Sequence, residues 1–294
     1  MRRLIVNADD FGFTAGVNRA IVEAHNGGIV TSSTLMANGP AFADAVRLAG
    51  TAPRLSVGCH VVLIDGNPVS GAKLLPSLAP SHARFRDGLK SFAARALTGL
   101  LDSDEIEMEA GAQIRKLQSA GIRVSHVDTH KHTHLFPAVL RPLLRAAKAC
   151  GVSAIRNPFG PRRPLRSGEL LARPGLWTRY AETQILSVLA AKFRDTARSA
   201  GLVTPDGTLG IEVTGTLDEI LFRALAAIIP EGTWEFVCHP GYNDDELQAA
   251  RTRLRESRET ELRLLTMPEA RTLLLDQGIE LISYRDLLPP LSSR

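Results

Sequence analysis

Short apolar runs alternate with amphipathic stretches along the whole chain. Runs of four to eight residues rich in branched apolar side chains predict strands, and the apolar spacing between them is typical of helices. Eight predicted strands span residues 4–7, 30–36, 55–63, 124–130, 153–157, 209–214, 233–239 and 279–284. Strands that alternate with helices form parallel sheets. We therefore predict an α/β fold, a TIM-like (β/α) barrel, with a barrel distorted to seven closing strands as the alternative.

Helical patterns fill the gaps between several of these strands. Five predicted helices span residues 16–25, 41–49, 104–120, 137–150 and 217–228. Gly121 and Gly151 follow two of them and are the usual type of helix stop. We expect Ser103 to cap the helix that starts at residue 104.

Two connections are too long to be plain turns: residues 64–102 and 158–208. Long insertions of this kind usually carry function or are disordered, and we predict a single barrel domain over residues 1–294 that contains both. The part from 158 to 180 is rich in proline and arginine. It is typical of a solvated surface loop, with a lid or a docking face for an anionic surface as the alternative.

The composition limits the function classes. The 294 residues are 44% hydrophobic and 22% charged, which is ordinary for a soluble globular protein. The formal net charge of +4 would permit an acidic partner, but the basic residues are accompanied by only three tyrosines and two tryptophans. A groove that binds nucleic acid strands interleaves basic and aromatic residues, so we expect no nucleic-acid partner.

The beginning of the sequence argues against export. The apolar run of residues 4–6 ends after three residues, too short for a signal peptide, and no stretch approaches the roughly 18 apolar residues of a membrane span. We therefore predict a cytoplasmic protein. Cys59, Cys150 and Cys238 lie far apart without CxxC spacing, which predicts neither a disulfide framework nor a thiolate zinc site.

Acids and imidazoles collect at the predicted strand ends. Asp9 and Asp10 follow the first strand, and His60, His130 and His239 lie on the third, fourth and seventh. The active site of a parallel barrel forms at the carboxyl ends of its strands, so these side chains should share one rim. Two imidazole nitrogens and one carboxylate, with open positions for water, suit one divalent metal ion, Zn²⁺ first and Mg²⁺ as the alternative.

The two adjacent aspartates need not point the same way. In a regular strand Asp9 and Asp10 would face opposite sides, but residues 11–13 contain a glycine and begin a turn that can bring both to the rim. One aspartate could then bind the metal while the other acts as a base. The alternative is that one of them caps the following helix.

The segment 126–134 places four imidazoles and one carboxylate on alternate positions. His132 falls in the loop after the strand, and we expect Asp128 to orient a metal ligand rather than bind the metal itself. The same alternation predicts that Cys59 and Cys238 point away from the neighbouring histidines and pack against helices.

Four segments carry a resemblance to a known family. They are Ile5-Val6-Asn7-Ala8-Asp9-Asp10-Phe11-Gly12, Ile29-Val30-Thr31-Ser32-Ser33-Thr34, Val57-Gly58-Cys59-His60 and His126-Val127-Asp128-Thr129-His130-Lys131-His132. In order and spacing they resemble the YdjC-like family of carbohydrate deacetylases, which includes ChbG, over nearly the whole chain. The resemblance implies a barrel fold, hydrolysis of N-acetyl groups of amino sugars, and a divalent metal on Asp10, His60 and His130.

The resemblance also suggests roles for the other polar residues. A bound divalent ion lowers the pKa of its water toward roughly 7 and polarises an acetamide carbonyl. Asp9 would accept the water proton, and His239 would protonate the departing amine or stabilise the oxyanion. Arg156, at the end of the fifth predicted strand, would orient Asp9 or bind substrate, with a surface ion pair as the alternative.

Residues 210–215 and 236–242 look closest to the branch of that family associated with hopanoid biosynthesis (HpnK). That branch implies an N-acetylglucosaminyl hopanoid lipid as substrate, with peripheral membrane contact at the inner face through the basic loop 158–180. Deacetylation of soluble chitooligosaccharides is the alternative activity, and a barrel that binds sugar or metal without turnover is the alternative from another class. A homodimer is a further hypothesis.

Overall fold

One parallel sheet runs through the described residues, which in this computed structural model are 1–80, 83–161 and 173–287. Its strands are β1 (Arg2–Phe11), β2 (Ser32–Leu35), β3 (Ser56–Val61), β4 (Val127–Thr129), β5 (Gly207–Leu209), β6 (Gly232–Cys238) and β7 (Ile279–Ile282). Six of them follow the order β4-β3-β2-β1-β6-β5, and β7 pairs with β1 beside this path. The predicted α/β class is therefore confirmed.

The sheet curls into a half-barrel and does not close into a TIM barrel. The prediction of a closed barrel is therefore wrong, and the alternative of a distorted barrel is closer to the structure. Between β4 and β5 the described residues form only isolated bridges, from Val127 to Ile155 and from Ala154 to Val203. The predicted strand 153–157 stops there because the Asn157 side chain binds neighbouring carbonyl groups and a proline without an N–H follows.

Strand β1 lies at the centre of the sheet. One of its edges pairs with β6 along residues 2–8, and the other pairs first with β7 along residues 2–5 and then with β2. The register of the β1–β2 pair shifts between Ala8 and Phe11, which marks a β-bulge at the carboxyl end of β1.

The helices pack outside the curled sheet. In the described residues they are α1 (Ala15–Asn26), α2 (Phe42–Thr51), α3 (Leu89–Leu97), α4 (Ser103–Ser119), α5 (Pro137–Ala149), α6 (Trp177–Leu186), α7 (Ala190–Ser199), α8 (Glu219–Ala227), α9 (Asp245–Ala249), α10 (Glu256–Thr266) and α11 (Pro268–Asp276). All five predicted helices are present, and their ends differ from the predicted ones by at most two residues. The cap of α4 is Asp102, not Ser103, because the Asp102 carboxylate accepts the N–H groups of Asp104 and Glu105.

Both long insertions contain helices that the sequence did not predict. Helix α3 lies within residues 64–102, and α6 and α7 lie within 158–208. Among the described residues, no helix combines the length and the apolar character needed to cross a membrane. The extent of the domain, the homodimer and the cytoplasmic location stay predictions.

Alternation along the strands separates an apolar outer face from an inner face that turns polar. On β1, Leu4 and Val6 belong to the large core shared with the helices, whereas Ile5 joins a small inner cluster with Tyr284. Asn7 and Asp9 continue this inner face toward the carboxyl end of the strand, and both are buried. Polar groups therefore collect inside the curl, at the ends of the strands.

The cysteines follow the same alternation. Cys59 on β3 and Cys238 on β6 both lie in the large outer core, away from His60 and His239. Burial raises the pKa of each thiol well above its ordinary value. The prediction that both cysteines pack outward is confirmed.

Candidate active site

Both aspartates of the Asp9–Asp10 pair face one cleft. Asp10 has a left-handed backbone, with φ of 68°, at the bulge of β1. Because this conformation reverses the usual alternation, Asp9 and Asp10 both line the cleft. The predicted convergence is confirmed, but it results from a bulge inside the strand rather than from the turn at residues 11–13.

Three side chains at or just after the carboxyl ends of three strands form a compact triangle of donor atoms. Asp10 Oδ1 lies 3.6 Å from His60 Nε2 and 3.6 Å from His130 Nδ1, and the two imidazole nitrogens are 3.3 Å apart. His60 belongs to β3, and His130 begins the short 3₁₀ turn directly after β4. These are the three residues that the family resemblance implies as metal ligands.

Neighbouring groups orient the members of this triangle. His60 Nδ1 donates to Asp128 at 2.8 Å, which leaves the Nε2 lone pair directed at the triangle. Arg258 of α10 donates to Asp10 Oδ2 at 2.6 Å, so that Oδ1 is the oxygen that faces the two imidazoles. Asp128 therefore contacts His60, as expected for a group that would orient a metal ligand.

Arg156 lies under the cleft floor and contacts three carboxylates. Its guanidinium donates to both oxygens of Asp9, at 2.8 and 2.6 Å, and pairs with Asp128 at 2.5 Å. It also donates to Glu235 of β6, whose other oxygen accepts from Tyr284. The side chain is fully buried, so the alternative of a surface ion pair is wrong, and Arg156 orients Asp9 as predicted.

The electrostatics of the cleft favour cations. Burial raises the pKa of each cleft aspartate, but Arg156 beside Asp9 and Arg258 beside Asp10 outweigh burial and hold both pKa values well below their usual range. Burial lowers the pKa of His60, yet Asp128 outweighs it and raises the pKa to about 9.

With the four carboxylates ionised and the imidazoles neutral, as metal ligands are, the carboxylates and the two guanidiniums that they contact leave a formal charge of −2. One divalent cation would neutralise this charge. The distances agree, because a tetrahedral site with metal–ligand bonds of about 2.0–2.1 Å has donor–donor edges of roughly 3.3 Å, close to the edges of the observed triangle. Asp10, His60 and His130 thus fit a divalent ion by donor chemistry, spacing and charge.

Two further histidines line the cleft. His239 follows β6, and its backbone N–H donates to Glu261 of α10 at 2.5 Å. Burial lowers the pKa of the His239 imidazole to about 4 and that of His132 to about 3. Nδ1 of His132 is buried and has no partner among the described residues. Both rings are neutral near pH 7 and can each offer one N–H and one lone pair to a ligand.

The cleft has a volume of about 790 Å³ and opens to solvent above the triangle. Its walls combine apolar side chains such as Phe13, Met36 and Leu254 with basic side chains at the rim, among them Lys131 and Arg253. A cleft of this size, with an apolar wall and a few convergent polar groups, is typical of a small-molecule site.

The fold and the site define an α/β protein with a half-barrel sheet and a candidate mononuclear metal centre in an open cleft. The sequence profile of YdjC-like proteins matches residues 3–276. The chain therefore belongs to the YdjC-like family.

Several relatives align with nearly the whole chain. A protein of Brevibacillus brevis named carbohydrate deacetylase is 33% identical over 97% of this chain and 99% of its own length. A second carbohydrate deacetylase, from Geobacillus stearothermophilus, is 34% identical over 97% of this chain and 98% of its own. Among solved structures, a candidate cellobiose-phosphate cleavage protein of Enterococcus faecalis V583 superposes with a TM-score of 0.78 at 26% identity, covering 98% of this chain and 99% of that one.

Sequence reasoning missed several groups that shape the cleft. Arg258 and Glu261 lie on α10, a helix that was not predicted, and Glu235 lies on the inner face of β6. Thr34 of β2 approaches Asp9 at 3.2 Å and Asp128 at 3.3 Å. A polar residue among apolar ones on a predicted buried strand was the available signal for Glu235, whereas no local pattern marks Arg258.

Proposed function

We propose that this protein is a metal-dependent N-deacetylase that hydrolyses the acetamide of an N-acetylglucosamine-containing carbohydrate. The observation that carries this proposal is the triangle of Asp10, His60 and His130 in the cleft, in a chain whose relatives are named carbohydrate deacetylases. Two nitrogens and one oxygen suit Zn²⁺, with Mg²⁺ as the alternative. A divalent ion held there would lower the pKa of a bound water and polarise the acetamide carbonyl.

Asp9 is the proposed base. Its Oδ1 accepts hydrogen bonds from Asn7, Thr34 and Arg156. Among the described residues, Oδ2 accepts a hydrogen bond only from Arg156. Oδ2 therefore keeps a lone pair for the proton of the attacking water. Arg156 keeps the carboxylate ionised and fixed in position, which a base requires before each turnover.

His239 is the proposed partner of the carbonyl oxygen. Because burial keeps its imidazole neutral near pH 7, we assign it a hydrogen bond to the developing oxyanion rather than direct protonation by an imidazolium. Water adds to the carbonyl carbon, the C–N bond breaks, and the proton taken up by Asp9 leaves with the amine. The products are acetate and a free amino sugar.

A lipid-linked amino sugar is the proposed physiological substrate, with the hopanoid class implied by the family branch. Its support is an exposed apolar surface formed by Ile185, Leu186, Val188 and Leu189 at the end of α6 and just after it. Helix α6 also reaches the cleft, because Arg179 donates to the carbonyl of Thr214 in the cleft wall. An apolar tail could follow this helix away from the site. The basic residues Arg162, Arg163 and Arg166 lie outside the described residues.

Acetate release tests the activity. Zn²⁺-loaded protein is incubated with an N-acetylglucosaminyl lipid in detergent and, separately, with diacetylchitobiose. We expect release to fall at least 100-fold in His60→Ala and in Asp9→Asn, because removal of one catalytic contribution typically costs 10²–10⁴-fold. Asp195→Asn, on the exposed surface of α7, is the matched control and should keep full activity. Metal binding without any acetate release would favour the non-catalytic barrel.

A second comparison separates the two substrate classes. Ile185→Ser with Val188→Ser should raise KM for the lipid and leave KM for diacetylchitobiose unchanged, because these side chains lie outside the cleft. Leu275→Ser, an equally exposed position on α11, is the matched control. Equal kinetics on both substrates in the double variant would support a soluble oligosaccharide and remove the lipid.

A further inference from the structure

A second group of possible metal ligands lies directly beside the first. Donor atoms of Asp9, His60 and Asp128 lie within 4.8 Å of one another, and all three side chains are buried. Since His60 Nδ1 already donates to Asp128, the carboxylates of Asp9 and Asp128 are the members of this group that could bind a second ion. In two-metal hydrolases a second ion lies about 3.5–4 Å from the first.

The guanidinium of Arg156 fills this second position. Nη1 lies 2.8 Å from Asp9 Oδ2 and 2.5 Å from Asp128 Oδ2, between the two carboxylates. Nη2 donates to Asp9 and to Glu235, and Nε donates to Glu235 as well. A guanidinium carries five N–H donors, and these contacts can use all of them.

The charges show why this position needs a cation. Three carboxylates without a positive partner would be very costly to bury, because each buried ion loses its hydration. Arg156 is fully buried and pairs with all three carboxylates, so it supplies the positive charge without a metal ion.

Resting on the proposed metal site, we propose that Arg156 acts as a built-in cation in the place of a second metal ion and so keeps the centre mononuclear. Asp9, which a second ion would bind, thereby stays available as the base. Arg156 is thus a positioning residue, and it sets the number of metal ions that the cleft binds.

Metal stoichiometry tests this proposal without reference to turnover. Protein stripped by chelation is loaded with Mn²⁺ or Zn²⁺, and bound metal is measured by plasma mass spectrometry and by titration calorimetry. We expect one ion per chain in the wild type, two in Arg156→Met, and one in Arg156→Lys, which retains a positive charge. Mn²⁺-loaded Arg156→Met should also show the electron paramagnetic resonance signal of an exchange-coupled pair.

Further variants keep the test decisive. Arg156→Met with Asp128→Asn should return to one ion, because the second position loses a ligand. Since Arg156→Met alone leaves three carboxylates unpaired, Arg156→Met with Glu235→Gln removes one of them and should fold in millimolar Mn²⁺. One ion in a folded Arg156→Met protein, or failure of both variants to fold at millimolar metal, would overturn the proposal. A wild type without metal beside a variant with one ion would contradict the proposed function and still support the cation role.

Discussion

The backbone of Asp10 shows how one residue conformation sets the geometry of the site. A left-handed φ in a residue other than glycine costs on the order of 1–3 kcal/mol, and the ion pair with Arg258 helps to hold it. The sequence predicts that the aspartate pair belongs to the cleft. It could not predict the bulge, because the bulge depends on how β1 pairs with β2.

The hydrogen bond from His60 to Asp128 should control metal affinity. Asp128→Asn removes the negative charge that fixes the imidazole tautomer, so we expect the metal Kd to rise by about 10–100-fold, the usual effect of losing such a partner. Titration calorimetry with Zn²⁺ measures the change. Asp195→Asn is the control, and an unchanged Kd in Asp128→Asn would show that Asp128 does not support the ligand.

Glu212 should make stability depend on pH. Burial raises its pKa to about 7, and one carboxyl oxygen has no partner among the described residues. The folded state binds this proton more tightly than the unfolded state, so the free energy of unfolding falls as pH rises from about 4.5 to 7. Glu212→Gln should therefore match the wild type near pH 4 and exceed it at pH 8 by up to about 3 kcal/mol.

Urea unfolding of both proteins at pH 4, 6 and 8 gives that comparison. Glu219→Gln, an exposed position on α8, is the control and should show no such trend. A difference between Glu212→Gln and the wild type that is constant with pH would contradict the assignment.

At the scale of elements, helix α4 holds the first insertion, residues 64–102, against the half-barrel. Buried Glu109 accepts the backbone N–H groups of Val69 and Ser70, and Glu105 accepts those of Ser77 and Leu78. The acidic residues of α4 therefore do more than complement the helix dipole. The insertion is therefore held to α4 through buried carboxylates.

Glu109→Ala should loosen this insertion. Two backbone N–H groups lose their acceptor, and each buried unsatisfied group costs about 1–3 kcal/mol, so we expect a loss of roughly 2–6 kcal/mol in the free energy of unfolding. Urea unfolding measures the loss, and limited proteolysis should cut first within residues 64–102. Glu107→Ala, which breaks an ion pair with Arg145 on the exposed side of the same helix, is the matched control and should cost less than about 1 kcal/mol.

Local pattern explains which elements the sequence predicts. Helix α5 has a strong apolar stripe, a proline in its first turn and a glycine after its end, and its prediction is confirmed. Helix α10 buries polar residues, Arg258 and Glu261, beside its leucines, so its pattern resembles a solvated segment. Its contribution to the site depends on contacts with Asp10 and His239. Asp10 lies more than 200 residues away from this helix in the sequence, so no local pattern could reveal the contact.

At the scale of the whole molecule, a bound ion should stabilise the fold. The proposed ligands come from β1, from β3 and from the turn after β4, so the unfolded chain cannot present them together. Metal at 1,000 times its Kd stabilises by about 4 kcal/mol, which for a chain of this size corresponds to a rise in Tm of roughly 5–15 °C.

Scanning calorimetry with Zn²⁺ and with a chelator measures this shift. His60→Ala should show no rise in Tm on adding metal, whereas His25→Ala, on α1 away from the cleft, should respond like the wild type. Equal Tm values for chelated and metal-loaded wild type would argue against a metal bound by the folded state.

The central position of β1 has a consequence for synthesis. Arg2 pairs with Gly232 and Ile279, so β1 leaves the ribosome more than 200 residues before these two partners are made. At about 5–20 residues per second this delay lasts on the order of 10–60 s. Until then β1 has exposed edges, which favour aggregation, and the aspartates on it lack Arg258. The proposed metal site should therefore be completed only after Arg258 has been made, and nascent chains that stop before this residue should not assemble it.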